Sequence, residues 1–173
     1  MKYLIFSDLH GSIESMEKII EKYHNHKCNK LICLGDVLYH GPRNDLPLHY
    51  NPKAVIKLIN EYKDNILCIQ GNCDAEVDQM VLDFPIIKDY VLNIEDKEVY
   101  LCHGHHLENI THNIVLHGHT HVTGIKEKDG KIYINPGSVT IPKENTNRGY
   151  IILENKSLTF YDLEDNVVLV YNL

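Results

Sequence analysis

Short apolar runs recur along the chain, and each stops at a polar cluster. Tyr3-Leu4-Ile5-Phe6 leads to Asp8-Leu9-His10, Leu31-Ile32-Cys33-Leu34 to Gly35-Asp36, and Ile66-Leu67-Cys68-Ile69 to Gly71-Asn72-Cys73-Asp74. Val99-Tyr100-Leu101-Cys102 runs into His103-Gly104-His105, and Ile114-Val115-Leu116 into Gly118-His119-Thr120-His121. Continuous apolar runs of this length, bounded by turn residues, read as buried strands. After the first run, Ser12 is placed to cap a helix in which Ile13, Met16, Ile19, Ile20 and Tyr23 recur at helical spacing. Asn51-Pro52 starts a second helix, since proline suits the first helical position, and Val55, Ile56, Ile59 and Tyr62 form its stripe.

The second half changes to hairpins. Asp96-Lys97 separates two strand-like runs, Asp129-Gly130 joins Gly124–Lys128 to Lys131–Asn135, and Asn155-Lys156 marks another turn before the closing strand Val167–Leu173. Helices early and hairpins late predict an α/β fold of two stacked mixed β-sheets with helices outside. In open α/β sheets the ligand crevice lies beyond the carboxyl ends of the strands, so the five clusters are expected on one rim. The loop Tyr39–Asn51 is long for a simple connection and reads as functional.

With 173 residues, no repeat and no Pro/Gly-rich linker, residues 1–173 read as one domain. A net charge of −7 argues against a general nucleic-acid binder, so no stable nucleic-acid partner is expected. The apolar stretches are only strand-length and Met1-Lys2-Tyr3 enters a strand at once, which predicts neither membrane span nor signal peptide and makes the cytoplasm the expected location. Five cysteines without a C-x-x-C pair suggest neither a disulfide framework nor a thiolate zinc site. Cys33, Cys68 and Cys102 read as buried small hydrophobes, and Cys28 as a helix-end or loop residue. His24, His26, His49 and His112 are expected in solvent.

Singly the clusters are weak signals; as an ordered set of nitrogen and oxygen ligands they are specific. The set resembles the calcineurin-like binuclear metallophosphoesterases, whose pattern is D-x-H, G-D, G-N-H-[DE], H and G-H-x-H. Gly35-Asp36-Val37-Leu38 with His40-Gly41-Pro42-Arg43-Asn44, Gly71-Asn72-Cys73-Asp74 with Glu76-Val77-Asp78-Gln79-Met80, and Asn135-Pro136-Gly137-Ser138 resemble the small bacterial YfcE-type phosphodiesterases. The resemblance spans nearly the whole chain and implies a metallophosphoesterase-like α/β/β/α sandwich. It implies Asp8, His10 and His121 on one divalent metal ion, Asn72, His103 and His119 on a second, and Asp36 bridging both, with the ions about 3.5–4 Å apart. Two dications less Asp8, Asp36 and one bridging hydroxide leave a net charge of about +1, which would draw an anionic phosphodiester even to an acidic protein.

The implied activity is a metal-dependent phosphodiesterase acting on small diesters by in-line attack of a metal-bridging hydroxide, without a phosphoenzyme. The donor set suits Mn²⁺ best among ions that include Fe²⁺, Zn²⁺ and Ni²⁺. Alternatives are a phosphomonoesterase and a catalytically weak binding scaffold. The resemblance admits a homo-oligomer without requiring one. Three further residues are candidates for the catalytic machinery. Cys73 replaces the family's usual histidine, and two readings stand open: a weak hydrogen-bond donor near the leaving oxygen, or a space filler. Asp74 is expected to orient its loop, and Arg43 to contact the substrate phosphate through its guanidinium. Only fifteen residues separate His103 from His119, where relatives carry a longer insert with a helix, so a short loop is expected there.

Overall fold

How each strand buries its residues decides which layer it joins. In the computed structural model, which describes residues 1–173, strands β1 (Lys2–Phe6), β2 (Lys30–Cys33) and β3 (Ile66–Ile69) run parallel, with β4 (Ile86–Ile87) beyond them. Leu4, Phe6, Leu31 and Cys33 share a core with Met16 and Ile19 of helix α1 (Ile13–Asn25) and Val55 and Ile59 of helix α2 (Pro52–Asn60). Ile5, Ile32, Leu34 and Ile69 belong to a second core on the opposite face. Burial on both faces is why these strands read as unbroken apolar runs rather than as alternations.

The helices start where capping chemistry puts them. The Ser12 hydroxyl accepts the Ser15 N–H at 3.4 Å, and the Asn51 amide oxygen accepts the Ala54 N–H at 3.2 Å ahead of Pro52. Each cap satisfies a backbone donor that the first helical turn leaves without a partner.

On its other side, β1 pairs antiparallel with β10 (Gly149–Glu154), followed by β11 (Ser157–Asp162) and β12 (Val167–Asn172), giving a sheet ordered β12-β11-β10-β1-β2-β3-β4. The second sheet is ordered β5-β6-β7-β9-β8, from β5 (Tyr90–Ile94), β6 (Lys97–Leu101), β7 (Ile114–Leu116), β8 (Gly124–Lys128) and β9 (Lys131–Asn135). Leu92, Val99, Leu101, Leu116 and Ile134 face Ile5, Ile151 and Phe160 across the inter-sheet core. The hairpins expected at 129–130 and 155–156 form at those residues, and the one expected at 96–97 turns one residue earlier, at 95–96.

Two mixed sheets stacked face to face are therefore the architecture, with one difference in the outer layers. Both α-helices lie on the outer face of the seven-stranded sheet. Over the five-stranded sheet the segment 102–113 contains no helix, and His112 stacks on Tyr100 with ring centroids 5.0 Å apart. Twelve residues of connection are too few for a helix and its two turns, so the layer is irregular chain. His26, expected in solvent, instead lies 2.9 Å from the Tyr150 hydroxyl, which donates to Asp165 at 2.8 Å. The edge strand β12 leaves Val167, Val168 and Val170 more than half exposed. No helix is long and apolar enough to cross a membrane.

Candidate metal centre

Beyond the strand ends the loops stay hydrogen-bonded to one another, and this draws the polar clusters together. The Asp8 N–H donates to Gly35 O at 3.1 Å, the His10 N–H to Asp36 O at 2.9 Å, and the Gly118 N–H to His103 O at 2.8 Å. The last bond joins β6 to β7; the first two join β1 to β2. Asp8, His10, Asp36, His119 and His121 all have positive φ, between 49° and 67°. Left-handed backbone at non-glycine residues is strained, and such strain concentrates where side-chain direction matters more than local stability. Two glycines provide space. A Cβ on Gly71 would stand 2.0 Å from Asp36 Oδ1, and one on Gly118 1.9 Å from Ser7 Oγ and 2.7 Å from Asp8 Oδ2.

Three histidines are aimed by the same device. His10 Nδ1–H donates to Tyr39 O at 2.8 Å, His103 Nδ1–H to Leu34 O at 2.7 Å, and His121 Nδ1–H to Ile141 O at 2.8 Å. Each ring then presents Nε2 to a common space, the orientation that metal-ligating histidines receive from an outer hydrogen bond. The Nε2 atoms of His10 and His121 face each other at 3.3 Å. Asp8 Oδ1 is 3.2 Å from His121 Nε2, 3.8 Å from His10 Nε2 and 4.0 Å from His103 Nε2. Asp36 Oδ2 lies 3.5 Å from His103 Nε2 and 3.7 Å from His10 Nε2. Asn72 Oδ1 is 3.0 Å from His103 Nε2.

These distances bring six of the seven expected ligand side chains together. Asp8, His10 and His121 form one compact group of donor atoms, and Asp8, Asp36 and His103 a second. His119 is less closely drawn in: its N–H donates to Asp8 Oδ2 at 3.0 Å and its ring centroid is 5.2 Å from that of His103. The donor set fits divalent cations on its own terms. With their Nδ1 atoms turned to backbone carbonyls, His10 and His121 meet Nε2 to Nε2, and Asp8 Oδ1 beside them is fully buried without a hydrogen-bond partner. Buried acceptors packed this closely require protons or cations among them.

The protonation states follow from the same contacts. Burial works to raise the Asp8 and Asp36 carboxyls, but His121 and His103 respectively hold them below the usual carboxylate value. His103 would be lowered by burial, yet Asp36 and Asp8 push it up to about 9. Burial pulls His10 and His119 down, toward the neutral ring a metal needs.

The other candidates separate by role. The Asp74 carboxylate accepts the N–H groups of Asp36 at 2.8 Å, Val37 at 2.8 Å and Gly71 at 2.7 Å, so it ties two ligand loops together from behind. Burial pushes its pKa up to about 6 against those three donors. Cys73 stands with His10 and Asp36 around one point, and its thiol is pushed up to about 12 by burial and by Asp36, which keeps it protonated. Arg43 is exposed and lines a cleft of about 790 Å³ together with Asp36, Asn72, Cys73, His119 and His121. His105 is exposed beside His103, with ring centroids 5.5 Å apart.

One supporting segment was recognised in the sequence only as a motif. Ser138 Oγ donates to Asp8 O at 2.8 Å, the Asn135 side chain donates to Gly118 O at 2.8 Å, and Ile141 O receives the His121 ring. Asn135-Pro136-Gly137-Ser138 thus braces both loops that carry the first ligand group. Lys143, at the cleft wall, was not singled out at all; a lysine among polar residues gives no periodic signal.

Comparison with known proteins agrees with this geometry. Phosphodiesterase YfcE of Escherichia coli (strain K12) is 37% identical over 176 aligned residues, covering 98% of this chain and 96% of that protein. The solved structure of E. coli YfcE, described as a phosphoesterase, superposes with a TM-score of 0.93 over 99% of both chains. A phosphodiesterase of Methanocaldococcus jannaschii is 27% identical over 79% of this chain and 83% of that protein. Vacuolar protein sorting 29 of Cryptosporidium parvum, at 20% identity and a TM-score of 0.66, shares the fold. Residues 1–158 match the model of the calcineurin-like phosphoesterase superfamily domain, and the chain belongs to this superfamily.

Proposed function

We propose that the protein is a metal-dependent phosphodiesterase for small diesters, built around two divalent cations. The observation that carries this reading is the packing of His10 Nε2, His121 Nε2 and the partnerless Asp8 Oδ1 within 4.0 Å of one another. Asp8, His10 and His121 would hold one cation, and Asn72, His103 and His119 the other. Asp36, between His10 and His103, would be shared. Mn²⁺ suits these hard oxygen and imidazole donors, as do Fe²⁺ and Zn²⁺ less selectively. Bound there, the ions would supply Lewis-acid stabilisation of phosphoryl oxygens and a water acidic enough to attack phosphorus.

The chain's own residues orient and exclude. The Tyr39, Leu34 and Ile141 carbonyls hold three imidazoles in the tautomer that leaves Nε2 free. Asp74 fixes the Asp36 and Gly71 backbones relative to each other. Arg43, without an ion pair, offers a bidentate guanidinium to the scissile phosphate. The relatives named as phosphodiesterases support the choice of diester over monoester. Metal-free protein reconstituted with Mn²⁺ should hydrolyse bis-p-nitrophenyl phosphate faster than p-nitrophenyl phosphate. Undiminished hydrolysis by Asp36→Asn, with metal content intact, would overturn the assignment.

A further inference from the structure

The chain has two arginines, and they are used differently. Arg148 is committed to the fold: it donates to Val139 O at 2.9 Å, Glu14 Oε2 at 2.7 Å and Ser15 Oγ at 2.9 Å. Arg43 makes no ion pair and lines the cleft. A second cation, Lys143, lines the same cleft from the loop that follows β9, and it too has no carboxylate partner.

Lys143 is anchored at its backbone while its side chain remains exposed. Its N–H donates to His121 O at 3.0 Å, and its carbonyl accepts the Thr146 N–H at 3.0 Å and hydroxyl at 2.8 Å. Two residues earlier, Ile141 O receives the His121 ring at 2.8 Å. The segment 141–143 therefore grips His121 at both its ring and its main chain. This holds the Lys143 Cα at a set distance from the ligand group while a flexible four-carbon stem carries the ammonium over the cleft.

The cleft is larger than one phosphate needs. Its volume of about 790 Å³ lies in the range of small-molecule sites, and most of the residues that line it are polar or charged. Cations left without partners on an otherwise acidic chain of net charge −7 favour a ligand with charge of its own. We infer that Lys143 is a specificity-determining residue that binds a second anionic group, such as a terminal phosphate, on one arm of the substrate diester. Arg43 is left to the scissile phosphate. The inference rests on the diesterase reading and deepens it.

Thymidylyl-thymidine and its 5′-phosphorylated form share one diester and differ by one terminal phosphate, so they isolate this contact. With Mn²⁺-loaded wild-type protein, kcat/KM for the phosphorylated form should exceed that for the other by about tenfold, mostly through KM. In Lys143→Gln that ratio should fall to about one, while Lys143→Arg should keep most of it. Rising salt should narrow the wild-type ratio. A wild type without preference, or a Lys143→Gln variant with the full wild-type ratio, overturns the inference. Should the wild type cleave neither dinucleotide, bis-p-nitrophenyl phosphate separates the two readings: no hydrolysis of it means that the diesterase reading itself fails. Calorimetric binding of the two intact dinucleotides to the metal-loaded protein then decides Lys143: a preference lost in Lys143→Gln sustains it, and equal affinities overturn it.

Discussion

Replacing Asp36 by asparagine probes the electrostatics of the centre before any metal is added. In the metal-free protein, burial alone would lower His103, but Asp36 at 3.5 Å and Asp8 at 4.0 Å push its pKa from 6.5 up to about 9. That difference corresponds to about 3 kcal/mol favouring the charged ring. The lowered Asp36 carboxyl expresses the same contact from its other side, so the energy is counted once. Because the folded-state pKa is raised, this contribution is fully present below about pH 6.5 and is lost as pH rises through about 9. Asparagine keeps an oxygen for the Cys73 N–H, 2.8 Å away, but carries no charge. Asp36→Asn should therefore bring His103 back toward or below its ordinary value. It should also destabilise the metal-free protein by up to about 3 kcal/mol near pH 6, Asp8 keeping its share of the pairing, and by much less above about pH 9.5. Ring ¹⁵N shifts in an NMR titration give the pKa, and urea unfolding at the two pH values gives the energies. An unchanged His103 pKa, or a loss of equal size at both pH values, would refute the reasoning. The same logic makes metal loading proton-coupled: at pH 7 each divalent cation bound by His103 should release about one proton, read by calorimetry in buffers of different ionisation enthalpy.

Two further outcomes follow from the loop that carries Cys73. Asp74→Ala strands three N–H donors, those of Asp36, Val37 and Gly71, and at about 1–3 kcal/mol each should cost at least about 3 kcal/mol in chemical unfolding. A loss under about 1 kcal/mol would mean that those donors find other partners. Cys73→His replaces a thiol held protonated near pKa 12 by a group that titrates near neutrality, and should alter the ratio of diester to monoester hydrolysis with Mn²⁺. An unaltered ratio leaves the space-filling reading of Cys73 in place.

Local pattern alone was enough to locate the parts that depend on neighbours in sequence. Apolar runs that end at Asp8, Asp36, Asn72, His103 and His119 marked the strands, and Ser12 and Asn51 marked the helix starts, because burial and capping are written within a few residues. The expected ligand set came from the resemblance that those residues, in that order, bear to the calcineurin-like metallophosphoesterases.

Tertiary structure decided what depends on contacts across the chain. The Nδ1 bonds from His10, His103 and His121 reach carbonyls at Tyr39, Leu34 and Ile141, which have no distinguishing side-chain chemistry to read. The bracing by Ser138 and Asn135 spans 130 and 17 residues. The rise of His103 toward 9 depends on two carboxylates that come from other strands. Lys143 enters the cleft only because its backbone hydrogen-bonds to His121, and His26 leaves the solvent only because Tyr150 and Tyr161 meet it from β10 and β11. A sequence carries the identity of each donor and acceptor, but hydrogen bonds and charge pairs act over a few ångströms, and only the folded chain brings distant residues that close.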